Sequence, residues 1–157
     1  MALHPRVRRT RRGDFRLSLP QEERQILRTL PAELRHLLTT DDPALARLFP
    51  PAYPDDPERN AEYLSLVRED LMTGRLEALR VMEATVDAER LSEGELASWL
   101  AALNDLRLVL GSRLEVTQDM DLENVTDEDP REPAYGLYLY LGWLQEQVVE
   151  ALSTNAS

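Results

Sequence analysis

The chain of 157 residues contains no cysteine and no lysine, only two histidines, and no long uncharged run. The missing cysteines exclude disulfides, thiolate nucleophiles, zinc fingers and iron–sulfur clusters together. His4 and His36 stand alone, outside any ligand-spaced cluster, so no metal site and no catalytic role is assigned to either. The longest stretch without charge, Pro133 to Gln145, is 13 residues, against the roughly 20 that a spanning helix needs. The arginine-rich start is not followed by an apolar segment, which argues against a signal peptide and makes a cytoplasmic location the expectation. The six glycines are scattered. None belongs to a phosphate-cradling GxxxxGK[ST] or GxGxxG pattern, and no serine sits in a nucleophile elbow. No catalytic and no cofactor-binding residue is therefore expected. An uncharacterised enzyme remains only as an alternative.

What is present is charge, unevenly spread. Residues 1–16 carry six arginines against the single acid Asp14, a net +5. The remainder carries twelve arginines against twenty-eight acids, a net −16. A body of that sign repels phosphate backbones, so direct DNA contact is expected only through the N-terminus.

Periodicity places most of the chain in helices. Phe15, Leu17 and Leu19 alternate with polar residues, the two-residue period of a strand with one buried face. Val7 to Arg11 supplies a weaker partner strand, and Arg12-Gly13-Asp14 the turn between them. Ser18 with Gln21 reads as a capping box opening a helix with Ile26, Leu27 and Leu30 inward. Pro31 interrupts it, and Ala32 to Leu38 continues as a kinked or second helix. Asp42-Pro43 and Asp56-Pro57 each place an N-cap before a proline at the first helical position. The first opens a short helix stopped by Pro50-Pro51.

The second opens a pattern from Pro57 to about Arg90, with Leu64, Val67, Leu71, Leu79, Met82 and Val86 in phase. As one helix it is about 50 Å long, against a diameter of roughly 40 Å for a domain of this size. It should bend, break or protrude, with Gly74 the expected bend. Its leucines could pair two chains or finish a monomer core, which leaves the oligomeric state open. Ser92 and Glu95 form a second capping box. Beyond it Leu96, Trp99, Leu100, Leu103, Leu106, Leu110 and Leu114 share one helical face. A last helix is expected from about Pro133 to Leu152, followed by frayed residues.

The fold class is thus mainly α: a single-domain helical bundle over 1–157. It comprises an arginine-rich hairpin at about 6–19, a helical body at about 20–152 and an acidic loop at 117–132. In that loop Asp119, Asp121 and Glu123 alternate as in a calcium loop. The glycine and glutamate an EF-hand needs at its sixth and twelfth positions are here Asn124 and Pro130, so the motif fails.

The candidate contacts are few. Arg6, Arg8, Arg9, Arg11 and Arg12 could dock nucleic acid or an acidic protein surface; equally they could be solvated charges guarding a sheet edge. Trp99, Asn104, Asp105 and Arg107 could form a partner-binding patch on the leucine-rich helix. The plainer account puts the three polar residues on its outer face, Asn104 bonding across a helix interface. Gly136 and Gly142 suggest close approach of a neighbouring helix, since each costs roughly 1 kcal/mol relative to alanine.

Three blocks in order, Arg47 to Leu71 (RLFPPAYPDDPERNAEYLSLVREDL), Trp99 to Thr117 (WLAALNDLRLVLGSRLEVT) and Tyr138 to Leu152 (YLYLGWLQEQVVEAL), resemble the actinobacterial AosR family. The likeness spans nearly the whole chain, including its arginine-rich start. It implies an oxidative-stress-linked transcriptional regulator that works by protein contact with RNA polymerase or an alternative sigma factor. The family's genes often lie beside the adaptor of the Clp protease, so an accessory role in Clp-dependent proteolysis is the alternative it implies. Redox sensing in that family is attributed to a cysteine pair, which this chain lacks; a disulfide switch within it is chemically impossible.

Overall fold

The computed structural model describes residues 5–49, 51–114 and 132–154. In chain order the elements are β1 (Val7–Arg9), β2 (Phe15–Leu17), α1 (Gln21–Leu37), a 3₁₀ helix (Pro43–Leu48), α2 (Pro57–Thr85), β3 (Arg90–Leu91), α3 (Glu93–Arg113) and α4 (Glu132–Ser153). The mainly α class holds. The hairpin is the larger part of a three-stranded antiparallel sheet, order β1-β2-β3, in which β2 is central. Of the expected acidic loop at 117–132, only Glu132 falls among the described residues, as the first residue of α4.

Local signals explain most element boundaries. Gly13 adopts a φ of 91°, the left-handed region that glycine enters freely, and closes the β1–β2 turn. The Asp42 carboxylate accepts from the backbone N–H of Ala44, and that of Asp56 from Arg59. Both members of the Ser92–Glu95 capping box are formed. The other expected box is absent. Pro20 occupies the α1 cap position without a side-chain hydrogen bond. Ser18 lies two residues before that cap, where its backbone N–H extends the hairpin by donating to the Arg6 carbonyl. Pro31 is buried inside a continuous α1 and does not divide it.

α3 is the axis of the molecule, packing against α2, α4, α1, the 3₁₀ helix and β3. Its buried residues extend well past the expected leucine stripe to Ala102, Asp105, Val109 and Gly111. A helix enclosed by neighbours has no single wet face. Close approach falls at Gly111, where an added Cβ would lie 2.9 Å from the Tyr138 ring and 3.1 Å from Arg47. The two expected positions differ: Gly136 meets nothing within 4 Å, and Gly142 is in ordinary contact with Arg107.

α2 is the opposite case. It runs unbroken through Gly74 for 29 residues, about 43 Å at the usual rise. Its buried residues are Ala78, Leu79 and Met82, all in the second half. The first half stands off the core, with Tyr63, Leu66 and Leu71 exposed. Local contacts cover it in part: Asn60 accepts from the backbone N–H groups of Ala52 and Tyr53, the guanidinium planes of Arg59 and Arg68 lie over the rings of Tyr53 and Phe49, and the Tyr63 ring packs edge-on against Tyr53. The helix ends at Thr85, short of the expected Arg90, because the chain turns at Ala88 and enters β3. Ile26, expected inside α1, is exposed, whereas Leu27 is fully buried.

Candidate functional site

The strand register decides where the N-terminal arginines point. Val7 pairs with Leu17, Arg8 with Arg16 and Arg9 with Phe15; Phe15 then pairs with Leu91 and Arg16 with Arg90. Side chains alternate across a strand. Val7, Phe15, Leu17 and Leu91 therefore face the core, and Arg8, Arg16 and Arg90 share the outer face; all three are exposed. Arg11 and Arg12 are exposed in the turn beside them.

Two of the expected contact arginines are instead structural. Arg6 grips Glu23 of α1 with a two-pronged hydrogen bond, Nε to Oε1 at 3.0 Å and Nη2 to Oε2 at 2.8 Å. The Tyr140 hydroxyl of α4 donates to the same carboxylate at 2.7 Å, and the Arg6 guanidinium lies 5.1 Å from the Trp143 ring centroid. Burial, reinforced by that donated bond, pushes the Tyr140 hydroxyl well above the usual phenol range. Arg9 shares the inner side of the hairpin, lying over the Phe15 ring and reaching the Leu152 carbonyl of α4. Both are half-buried and engaged within the fold, apart from the exposed Arg8, Arg11 and Arg12.

The patch on α3 is not a surface. Trp99 is 0% exposed, its indole N–H donating to the Thr85 hydroxyl at 2.7 Å. Asp105, expected on the outer face, is 3% exposed and paired at 2.7 Å with Arg75 of α2. Arg75 also donates to the Leu48 carbonyl, so one guanidinium joins α2, α3 and the 3₁₀ helix. Burial holds the Asp105 carboxyl above its ordinary range, against the pull of Arg75. Asn104 does bond across a helix interface, accepting from Gln145 of α4 at 3.3 Å. Arg107 is half-buried, its guanidinium 6.0 Å from the Tyr138 ring. Asn104 and Arg107 therefore sit in the α3–α4 seam, apart from the sheet.

Sequence reading missed a further structural arginine. Arg24 of α1 donates to four backbone carbonyls, those of Leu17, Leu19, Val86 and Ala88. It ties the sheet to the C-terminal end of α2 by satisfying carbonyls that a helix end leaves without partners. No sequence motif marks it, because its ligands are backbone atoms, two of them more than sixty residues away.

Among the described residues no group of three or more His, Asp or Glu side chains could hold a metal ion. An apolar groove of about 700 Å³ runs between α1, α3 and α4 past Leu34, Leu37, Leu106 and Leu137, with Glu33, His36 and Arg113 at its margin. Its lining brings no set of shifted carboxylates together. No helix among the described residues is long and apolar enough to cross a membrane.

These features define a helical scaffold closed at one end by a small sheet whose outer face is basic. The chain belongs to a family described as a domain of unknown function (DUF2017), whose model matches residues 4–152. It is similar to the putative oxidative stress regulator AosR of Mycobacterium leprae, 32% identical over 130 residues. It is likewise similar to the oxidative stress regulator AosR of Mycobacterium tuberculosis, 31% identical over 134 residues. The matched segments cover 71% and 74% of this chain and 59% and 61% of those relatives. The chain thus spans about three fifths of the length of the curated relatives it matches. No solved structure matches it.

Proposed function

We propose that this protein is a non-enzymatic regulator of the oxidative stress response, linked to transcription and acting by contact with RNA polymerase or a sigma factor. The observation that carries this reading is the likeness to curated relatives named oxidative stress regulators, over about three quarters of the chain. The described side chains are consistent with it. Their buried polar groups, Asp105 with Arg75 and Glu23 with Arg6 and Tyr140, hold helices together. They do not converge on a cavity as catalytic acids and bases do.

The reading departs from a thiol sensor. These 157 residues contain no cysteine, so oxidant cannot act through a disulfide within them. An oxidant-dependent change in this chain's activity then reaches it by a route other than a thiol, such as the partner or its amount in the cell. An acidic body also suits contact with basic, DNA-binding proteins, since complementary charge speeds encounter and rejects wrong partners.

The test is affinity capture of the tagged chain from its own cells, with and without peroxide, read by mass spectrometry. Polymerase subunits or a sigma factor should be enriched over a control protein of equal acidity. Equal recovery with the control ends the proposal. Recovery of a Clp adaptor or ATPase in their place replaces it with an accessory role in proteolysis.

A further inference from the structure

The outer face of the sheet is a row of like charge. Arg8 lies opposite Arg16, and Arg16 opposite Arg90. With strands roughly 4.8 Å apart, the row is about 10 Å wide. Like charges directly opposite one another destabilise an antiparallel pair. Protection of exposed strand edges accounts for Arg8 on β1 and Arg90 on β3. It does not account for Arg16, because β2 is the central strand and has no edge to protect.

Among the described residues the row is only partly neutralised, by Asp14 at Arg90. Among the described residues Arg8, Arg11 and Arg16 form no ion pair. The acid that reaches it, Asp14, lies 3.5 Å from Arg90 and also accepts from the Thr10 hydroxyl. Arg8 and Arg16 are thus left open, among the described residues, to carboxylates supplied by another molecule.

The shape of the face selects among anions. Acids border it: Glu89 precedes Arg90, and Glu150 lines the same shallow recess as Arg8. A duplex, a broad and continuous polyanion, would press against them. Single strands favour aromatic platforms for stacking, and the aromatic of the hairpin, Phe15, is fully buried on the opposite face. A short protein segment carrying two or three carboxylates fits between the flanking acids, with guanidinium forks matching carboxylates in pairs.

We propose that the Arg8–Arg16–Arg90 face, extended by Arg11 and Arg12, docks an acidic segment of a partner protein. This rests on the reading of the chain as a regulator that acts by contact.

The test is an anisotropy titration of the whole chain with two fluorescein-labelled probes, a peptide of ten glutamates and a twenty-base-pair DNA duplex. About 0.1 M salt limits the reach of the acidic body to roughly 10 Å while leaving close pairs intact. The peptide should bind, and Arg8→Gln/Arg16→Gln should weaken it at least tenfold with no fall in melting temperature. Arg16→Gln alone should weaken it less, and still measurably should the double variant fold poorly. Arg59→Gln, at the far end of α2, should change binding less than twofold. Absence of peptide binding, an equal loss in Arg59→Gln, or duplex binding as tight as the peptide's would each overturn the proposal. Such a failure beside intact polymerase capture removes the arginine face and keeps the proposed function. Failed capture beside intact peptide binding does the reverse.

Discussion

Two populations of arginine divide this molecule. Inside the seams, Arg6, Arg24 and Arg75 donate to carboxylates and backbone carbonyls, and each joins elements distant in sequence. On the outer sheet face, Arg8 and Arg16 stand in register with each other and Arg90, and neither forms an ion pair among the described residues. The first group holds the fold, and the second is tolerated by it. The comparison teaches that a residue's charge says little until its register is known: Arg8 and Arg9 are neighbours, yet one faces solvent and the other lies over Phe15.

The sharpest way to break the comparison is to remove a seam charge. Asp105→Ala strands the Arg75 guanidinium beside a low-dielectric interface, a loss of about 3 kcal/mol or more. Urea unfolding should show the midpoint fall with little change in slope. A loss under about 1 kcal/mol would mean that Arg75 finds water instead. Arg24→Ala comes next. Four carbonyls lose a charged donor, and bonds of that kind contribute about 1.5–3 kcal/mol each before solvent replaces them. A net loss near 2 kcal/mol is expected, and thermal melting checks it.

A smaller effect follows from the raised Asp105 carboxyl. Because folding raises its proton affinity, the unfolded chain ionises first as pH rises. Stability from this group therefore falls between the ordinary carboxylate range and the raised folded value. Asp105→Asn should lack that fall, giving a flatter stability profile than the parent as pH rises from the ordinary carboxylate range. Parallel profiles would count against the assignment. Smallest of all is Arg16→Gln. Relieving two like-charge cross-strand contacts should raise stability by a few tenths of a kcal/mol, the opposite sign to every seam variant. Destabilisation would show that Arg16 has a structural role after all.

Features whose causes lie within a few residues were readable in the sequence. The caps at Asp42, Asp56 and Ser92, the turn at Gly13 and the leucine stripe of α3 depend on neighbours at most one helical turn away. Features created by distant pairing were not. β3 is two residues long and exists only because it pairs with β2, so nothing in Arg90-Leu91 announces a strand. For the same reason the N-terminal arginine cluster could be noticed, but its third cross-strand member could not. Asp105 reads as an exposed acid because its partner lies 30 residues earlier on another helix. Leu71 and Leu79 repeat in one phase along α2, and periodicity cannot say which end of a helix outruns its core.

That overrun gives α2 two different lifetimes. Amides near Ala78, Leu79 and Met82 are locked by the surrounding core and should exchange with deuterium only when the whole molecule opens. Amides over roughly residues 60–70 answer to little beyond their own helical turns. They should exchange orders of magnitude faster, so a single uninterrupted helix would report a gradient from local fraying to global unfolding.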